Sequence, residues 1–471
     1  MNDRKGFGSN FGFLMAAVGS AVGLGNIWGF PNKMGANGGF PFLILYLALA
    51  LCCGVIIMLG ELALGRKTGH GAVGAYQSIS KRFKWLGWLG IAAAALIFSF
   101  YSALGGYCLR YVVVNFGNLI GAEFGTNGVG GADVFQGLLS QPDVSIAFAL
   151  AFMLITMLVV MSGVGGGIER VCSVGMPALF FILIICIIRS CTLPGAADGL
   201  KYMFVPGWAV ANGIIDEAPG FWKVLTAAGG QMFFSLSLGA GVMITYGSYL
   251  DKKQDLGKSA MIIVGMDTVV ALMAGLCVIP GRFALDPNGA LGGPELLFIT
   301  MQNVFDKMGP AGPVFGILFY LLVFFAAISS SISMLEVIVA HFCDKAREKG
   351  KGDRRKLYSA IAVVICAALC ALVCADGMGS NHISPAELLG LAGAKLPGWS
   401  TSWLGLFDSV AEGLLMPLGA LLMCLMISWE LKPDTLRQEI LLNGENRPWV
   451  YDFFRLCVKY ITPLCLSLIH I

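Results

Sequence analysis

Charged residues are scarce in this sequence. Only 13% of the 471 residues are charged, against 57% that are hydrophobic, whereas a soluble domain carries about a quarter of charged residues. This shortage excludes an ordinary soluble protein, and the mean hydropathy of +0.78 indicates a polytopic membrane protein. The net charge of +3 is too small to suggest a nucleic-acid partner.

Metal-binding and catalytic patterns are also lacking. The four histidines are scattered, and no cysteine or histidine spacing typical of a metal site occurs. Most of the fourteen cysteines lie inside apolar runs and are interpreted as small buried hydrophobic residues. No nucleophile–base pair is recognisable, so we do not expect an enzyme. The first apolar segment has no small-residue cleavage site and is not interpreted as a signal peptide.

Long apolar runs dominate what is present. Eleven of them reach the length of about 20 residues that a bilayer requires, and we refer to them as spans 1 to 11 in chain order. Their predicted limits are 11–35, 40–64, 86–116, 144–162, 170–189, 221–249, 257–281, 312–343, 357–375, 404–429 and 450–471. The last six residues match one frame of a common sequencing adapter, which suggests an artefact at the end of span 11.

Lysine and arginine are distributed unevenly between the loops. Seven of them lie between 345 and 356, after span 8, whereas the loop 117–143 contains none. Cytoplasmic loops carry the excess of positive charge, and Arg4 and Lys5 precede span 1. We therefore predict a multi-pass protein of the cell's inner (plasma) membrane with a cytoplasmic N-terminus.

Spans 1 and 6 both have glycines and polar residues at their centres, at 18–26 and 231–241. Glycine in a helix interior costs about 1 kcal/mol relative to alanine, and backbone groups freed within a membrane must find partners or line a wet cavity. For a single stretch, close helix packing through small residues is an equal alternative. Two interruptions five spans apart favour an inverted-repeat transporter.

These residues resemble the neurotransmitter:sodium symporter family, in its bacterial amino-acid branch typified by LeuT. The resemblance covers nearly the whole chain in an ordered series of motifs at 19–28, 37–39, 61–66, 167–170, 197–200, 231–246 and 329–332. It implies an all-α, LeuT-type fold with a 5+5 inverted repeat and unwound helices 1 and 6. The first repeat is expected at 1–189 and the second at 190–430, with helix 11 at 431–471.

The resemblance implies two sodium sites built from oxygen ligands. One is expected to use three carbonyls and two hydroxyls, from Gly19, Val22, Ala326, Ser329 and Ser330. The other is expected to use the substrate carboxylate, one carbonyl and three side chains, from Ala21, Asn26, Ser235 and Asp267. For the serines, the alternative is that their hydroxyls bond back to their own helix.

Asp267 is the most informative charged residue within a span, where a carboxylate indicates function by default. The family commonly has Asn at this position, and its animal members add a chloride ion nearby. Asp267 would supply that negative charge itself, so we expect chloride-independent transport. A protonated Asp267 bonded between helices is the structural alternative. Span 5 lacks the Lys that replaces one sodium in related proton-driven carriers, which favours sodium.

Gly23 indicates an amino-acid substrate, because monoamine carriers of the family place an Asp there. The resemblance implies that the substrate's charged ends are held by residues of the interruptions and one tyrosine: Ala21, Gly23, Leu24, Gly25, Tyr101, Phe234 and Ser237. Its side-chain pocket is expected to be formed by Ile97, Leu104, Phe234, Ala240, Ser330 and Met334. Ala240 stands where the leucine carrier has a bulky aromatic residue, so we expect a large aliphatic or aromatic neutral amino acid.

The external gate departs from the family pattern, which pairs an Arg of helix 1 with an Asp of helix 10. Here the Arg position is Gly29. Lys33 lies about one turn further along the same helix, and we expect it to pair with Asp408, directly or through water.

On the inner side, Arg4 and Asp344 match the family's cytoplasmic ion pair, with Tyr249 nearby. For Arg4, the alternative is a residue that only contributes to the positive charge of the cytoplasmic side. Glu61 matches a buried carboxyl that braces both interruptions, and we expect it to be a structural residue.

The sequence therefore predicts a sodium-coupled importer of a neutral amino acid that works by alternating access. Its expected partners are the amino acid, two Na⁺ ions and the lipid bilayer, and we expect a monomer or a weak dimer. Two alternatives share this architecture. An ion channel would need a continuous polar pore, and a sensor would bind the amino acid without moving it.

Overall fold

Helices make up the regular structure in this computed structural model, which describes residues 6–126, 128–289, 295–352, 354–390, 398–431, 435–441 and 448–469. Within these ranges, eight helices are long and apolar enough to cross a membrane, or nine if one bent pair counts as a single span. The prediction of an all-α membrane protein is confirmed.

The unbroken long helices correspond to spans 2 to 5 and 7 to 10. They run Phe40–Thr68, Lys81–Ile120, Pro142–Met161, Val164–Cys191, Leu256–Leu285, Gly309–Glu348, Arg355–Gly379 and Trp403–Glu430. The third and eighth spans, of 40 residues each, extend a few residues beyond each of their predicted ends. Both therefore project past a hydrocarbon core of about 30 Å, which about 20 helical residues already cross.

Spans 1 and 6 are broken at their centres, as predicted. Span 1 consists of an N-terminal half, Asn10–Ala21, and a C-terminal half, Gly25–Ala36, which meet at an angle of 44°. Span 6 consists of Phe221–Leu236 and Val242–Gly247. Each half of span 6 is too short to cross a bilayer alone, and together they occupy the predicted position.

Span 11 forms Pro448–Leu456, a π turn at Cys457–Ile461 and Thr462–Ile469. Residues 470 and 471 lie outside the described residues, so the hypothesis of an artefact at 466–471 stays a prediction.

Short helices occupy the connections between spans. They are Ala72–Ile79, Gly131–Leu139, Ala196–Phe204, Trp208–Ala211, Leu296–Thr300, Met301–Asp306, Pro385–Leu388 and Arg437–Ile440. Ser384 shows why one of them begins where it does, because its side chain and that of Glu387 form a reciprocal capping box.

Spans 3 and 8 form the centre of the molecule. They pack along one another, and span 8 also packs on spans 4, 5 and 9. Tyr101 and Tyr107 of span 3 are fully buried, whereas Phe181 of span 5 is 67% exposed and Val364 of span 9 is 70% exposed. Such exposed apolar side chains suit a lipid-facing surface. The polar residues at the centres of spans 1, 6 and 8 are buried in the interior.

A buried charge network fastens the predicted cytoplasmic end of span 2. Arg66 donates to the Glu439 carboxylate at 2.8 Å and to the Glu439 carbonyl at 2.6 Å, and Lys252 donates to the same carboxylate at 2.6 Å. Burial raises the pKa of Glu439, but hydrogen bonds and charges from Lys252 and Arg66 outweigh burial and hold this pKa below its ordinary value.

Candidate functional site

The break in span 1 is held open by side-chain hydrogen bonds. The N-terminal half ends at Ala21, and the backbone of the following residue, Val22, is extended. The freed Gly23 N–H donates to the Asn26 Oδ1 atom at 3.0 Å, and the Leu24 N–H donates to the Tyr101 hydroxyl at 2.6 Å. These bonds satisfy backbone donors that a continuous helix would use internally, so the predicted neighbourhood of Leu24 and Tyr101 is present in the structure.

The break in span 6 depends on residues with left-handed backbones. Ser237 has φ 52°, an unusual value for a residue with a side chain, and Gly239 and Gly241 follow with φ 80° and 73°. Glu61 accepts the Gly239 N–H at 2.6 Å, a contact with the interruption of span 6, and its expected contact with the interruption of span 1 stays a prediction. The Ser237 hydroxyl donates to the Ser20 carbonyl at 3.0 Å, so it joins the two interruptions directly.

Four side chains from spans 1, 2, 6 and 7 meet at Asp267, and we call Asn26, Tyr46, Ser235 and Asp267 the Asp267 cluster. The Asp267 carboxylate accepts from Asn26 at 2.8 Å, from Ser235 at 2.9 and 3.0 Å and from Tyr46 at 3.2 Å. All four side chains are fully buried. These donors are uncharged, so the carboxylate is solvated by dipoles and hydroxyls, an arrangement that favours a bound cation.

Span 8 meets the first interruption through two hydroxyls, and we call Gly19, Val22, Ala326, Ser329 and Ser330 the serine cluster. The Ser330 hydroxyl lies 3.3 Å from the Gly19 carbonyl and 3.1 Å from the Ser20 carbonyl. The Ser329 hydroxyl lies 3.0 Å from the Ala326 carbonyl and 3.4 Å from the Val22 carbonyl. Ser329 thus bonds within its own helix, which was the alternative prediction, and it also faces span 1, as a sodium ligand would.

Four of the expected substrate residues, Gly23, Tyr101, Phe234 and Ser330, lie close together beside the interruption of span 1. A Cβ atom on Gly23 would overlap the Tyr101 and Ser330 hydroxyls, so glycine is required for their close approach. The ring centroids of Phe234 and Tyr101 lie 6.4 Å apart. The remaining predicted pocket and interruption residues are all buried: Ala21, Ile97, Leu104, Ala240 and Met334, together with Leu24 and Gly25.

Lys33 forms an ion pair with Glu412. The expected pairing of Lys33 with Asp408 is therefore corrected, although Asp408 lies close enough to both residues to interact with their charges. Asp408 and Glu412 are four residues apart and lie on the same side of span 10, and a π turn at Ala411–Leu415 begins between them. Gly230 of span 6 lies against this pair, since a Cβ there would approach Glu412 to 2.9 Å.

The N-terminal end of span 1, predicted to be cytoplasmic, is packed by aromatic rings. Phe7 makes edge-on contacts with Phe13, Tyr246 and Tyr249, at centroid distances of 5.5, 5.6 and 6.1 Å. Asp344 accepts the Gly71 N–H at 3.0 Å. The predicted partner of Asp344, Arg4, lies outside the described residues, so that gate pair stays a prediction.

Several residues of the site were not given roles by the sequence. Glu336, buried in span 8, accepts from Tyr249 at 2.5 Å and from Arg355 at 2.6 and 2.9 Å. Gln231 donates to the Gly25 carbonyl at 2.6 Å. The available signals were the position of Glu336 inside a span and the single amide within the glycine-rich centre of span 6.

Comparisons with known proteins give a consistent result over the whole chain. The sequence model described as "Sodium:neurotransmitter symporter family" matches residues 4–127 and 132–471. The uncharacterized sodium-dependent transporter YhdH of Bacillus subtilis is 37% identical over 98% of this chain and 96% of its own length. An uncharacterized sodium-dependent transporter of Methanocaldococcus jannaschii is 29% identical over 99% of this chain and 89% of its own length.

Among solved structures, the crystal structure of MhsT in complex with L-phenylalanine resembles this fold with a TM-score of 0.84. Its sequence is 34% identical, and the match covers 99% of both chains. The similarity therefore includes every span and both interrupted regions of the chain.

Proposed function

Because this chain belongs to the sodium:neurotransmitter symporter family, we propose that it imports a large neutral amino acid together with two Na⁺ ions, without chloride. The chain is a multi-pass, sodium-dependent transporter with the LeuT fold, and not an enzyme. The observation that carries the proposal is the fully buried Asp267 carboxylate, whose donors are uncharged.

Two cation positions follow from the two oxygen clusters. In the Asp267 cluster, the carboxylate, the Asn26 amide, the Ser235 hydroxyl and the Ala21 carbonyl would replace the water of one Na⁺. In the serine cluster, three carbonyls and two hydroxyls would hold the second. A buried carboxylate beside the first ion already supplies the charge for which a chloride would otherwise be needed, which supports chloride independence.

The substrate proposal starts from Gly23. No side chain fits at this position beside Tyr101 and Ser330, so an acidic partner for a bare amine is excluded there. Backbone N–H groups of Leu24 and Gly25, the Tyr101 hydroxyl and a nearby Na⁺ suit a carboxylate. MhsT has been crystallised with L-phenylalanine, and the small Ala240 side chain supports a similarly large ligand here.

In alternating access, one gate closes while the other opens. We infer that Lys33 and Glu412 close the outer side above Phe234, with Asp408 beside them. On the inner side, Tyr249, Asp344 and Arg4 would part as the N-terminal half of span 1 swings away, in a protein whose N-terminus is cytoplasmic. The two five-helix repeats at 1–189 and 190–430 and the monomeric or weakly dimeric state belong to the same proposal.

Sodium-dependent thermal stabilisation tests this assignment against all twenty amino acids. A ligand at 100 times its dissociation constant adds about 2.7 kcal/mol of stability. We expect phenylalanine, tryptophan, tyrosine or leucine to stabilise the purified protein in sodium chloride and sodium gluconate equally, and to lose that effect in potassium salts. Stabilisation that is independent of sodium, or strongest with glycine or a monoamine, would overturn the proposal. Binding without flux in proteoliposomes would instead identify a sensor.

A further inference from the structure

Glu169, at the start of span 5, holds the first residues of span 1. Its carboxylate accepts the Gly8 N–H at 2.7 Å and the Ser9 hydroxyl at 2.8 Å. Ser9 is also the N-cap of the N-terminal half, since its hydroxyl accepts the Gly12 N–H at 2.9 Å. The carboxylate therefore ends a short chain of hydrogen bonds that begins inside the helix. A negative charge at a helix N-terminus is also electrostatically favourable.

Gly12 makes this contact possible. A Cβ atom at Gly12 would overlap the Cγ, Cδ and Oε1 atoms of Glu169, and one at Gly8 would lie 3.5 Å from its Oε2 atom. The glutamate side chain thus lies flat across the surface of the N-terminal half. Glycine in a helix is unfavourable by about 1 kcal/mol relative to alanine, so its presence here has a local explanation in this packing.

The N-terminal half is held separately at its two ends. At one end, its last carbonyls belong to the serine cluster of span 8. At the other end, about 18 Å away along twelve residues, Glu169 of span 5 binds Gly8 and Ser9. If this half moves away from the rest of the protein, both attachments must break, and they lie on different spans.

The Glu169 attachment borders a large cavity. A space of about 930 Å³ opens between Gly8, Gly165 and Gly166, the end of span 8 at Arg347, and Tyr249. Glu169 itself is only half-buried. Water from this cavity can replace the two donors when the contact opens, so breaking it does not leave a buried charge without partners.

We propose that Glu169 is a latch that keeps the N-terminal half of span 1 closed and so helps to set how readily the carrier opens inward. The role rests on the proposed function, in which that half moves to release the cargo. When the serine cluster holds sodium, both ends of the helix are fixed. When sodium leaves, the latch and the Phe7 ring contacts remain, and they oppose premature opening.

Two variants weaken the latch by different routes. Glu169→Gln keeps the size of the side chain and removes its charge, whereas Gly12→Ala leaves Glu169 intact and displaces it from the helix. Alanine favours the helix, so a loss of folding is not expected from this second change. Glu348→Gln is the matched control, because it removes a glutamate charge at the end of span 8 whose ion-pair partner is His70, 3.7 Å away.

Hydrogen exchange followed by mass spectrometry measures how often the N-terminal half of span 1 opens, without attached labels. In saturating sodium we expect amides of the Asn10–Ala21 helix to exchange roughly tenfold faster in both variants, the effect of one lost charge-assisted bond. Span 2 amides and the Glu348→Gln control should be unchanged. In proteoliposomes, half-maximal uptake should need about fivefold more sodium, with uptake at saturating sodium retained.

The two proposals fail in different ways. Unchanged exchange in both variants, with sodium-driven uptake intact, would overturn the latch and leave the transport function standing. A wild-type protein without sodium-driven uptake would overturn the function, whatever the exchange rates. A uniform loss of protection in all spans of both variants would show a structural role for Glu169 and would also overturn the latch.

Discussion

The two oxygen clusters beside the interruption of span 1 are built on opposite principles. The Asp267 cluster joins four spans around a buried carboxylate whose three donors are uncharged. The serine cluster joins only spans 1 and 8 and contains carbonyl and hydroxyl oxygens without formal charge. The first cluster would therefore bind a cation mainly through a negative charge, and the second through the arrangement of its uncharged oxygens.

This difference assigns the clusters different tasks. A buried carboxylate attracts a cation whatever the position of the N-terminal half of span 1, because burying the negative charge without a partner is unfavourable. A neutral set of oxygens binds well only while its carbonyls and hydroxyls are held together, so its occupancy depends on the position of the N-terminal half of span 1. We infer that the Asp267 cluster mainly determines sodium affinity and the serine cluster mainly couples sodium to movement.

Asp267→Asn is expected to have the largest effect, because it removes the charge from the charged cluster. We predict a loss of apparent sodium affinity of about 100-fold, equivalent to about 2.7 kcal/mol, measured as the sodium dependence of amino-acid uptake. The Tyr46 and Ser235 hydroxyls remain in this variant, so residual uptake should be faster in chloride than in gluconate. Equal uptake by wild type and variant at low sodium would remove the distinction between the clusters.

Ser330→Ala tests the neutral cluster and should have a smaller effect. It removes a hydroxyl that faces the Gly19 and Ser20 carbonyls, and we predict about tenfold weaker sodium dependence, the effect of one neutral hydrogen-bonding group. Ser331→Ala is the control, since that hydroxyl bonds Thr156 and the Ile328 carbonyl instead. If both alanines weaken sodium dependence equally, the serine cluster has no special part in it.

Lys33 and Glu412 form an ion pair outside both clusters, where we propose the outer gate. We predict that Lys33→Ala or Glu412→Ala lowers uptake about fivefold, as expected for an ion pair worth about 1 kcal/mol, without changing chloride dependence. Exchanging the two charges in one double variant should restore part of the activity. Unchanged uptake in Lys33→Ala, or an effect as large as that of Asp267→Asn, would contradict this assignment.

We expect the smallest effect from changing Glu439, which also serves as a control because it lies outside both oxygen clusters. Its pKa is held below the ordinary value of 4.5 by Lys252 and Arg66 despite burial. Its contribution to stability is therefore complete above pH 4.5 and is lost as the pH falls through the lowered pKa. We predict that Glu439→Gln lowers the free energy of unfolding by about 1 kcal/mol at pH 7, reduces the acid sensitivity of thermal unfolding and leaves sodium affinity unchanged.

The breaks in spans 1 and 6 could be predicted from the sequence because their cause is local. Glycines and polar residues within an apolar run disfavour a continuous helix wherever it is placed. The contact between Asn26 and Asp267 joins residues 241 positions apart. No local pattern carries that information, and it was predicted only through the resemblance to a family.

The acidic partner of Lys33 could not be predicted, because span 10 has two carboxylates close together. Asp408 and Glu412 are four residues apart, so in a regular helix both lie on one face. Either carboxylate could therefore face Lys33, and a single sequence does not decide between them. The Glu169 contact was missed for a different reason, since an acidic residue at the end of a span usually has no structural partner.

Uptake of labelled phenylalanine into proteoliposomes tests the central claim most directly. An inward sodium gradient should drive accumulation above the external concentration, equally in chloride and gluconate, and replacing sodium by potassium should abolish it. The Asp267→Asn protein should lose this uptake at low sodium. Accumulation that vanishes in gluconate, or that Asp267→Asn leaves unchanged, would contradict the assignment of a cation-binding carboxylate at the junction of spans 1, 6 and 7.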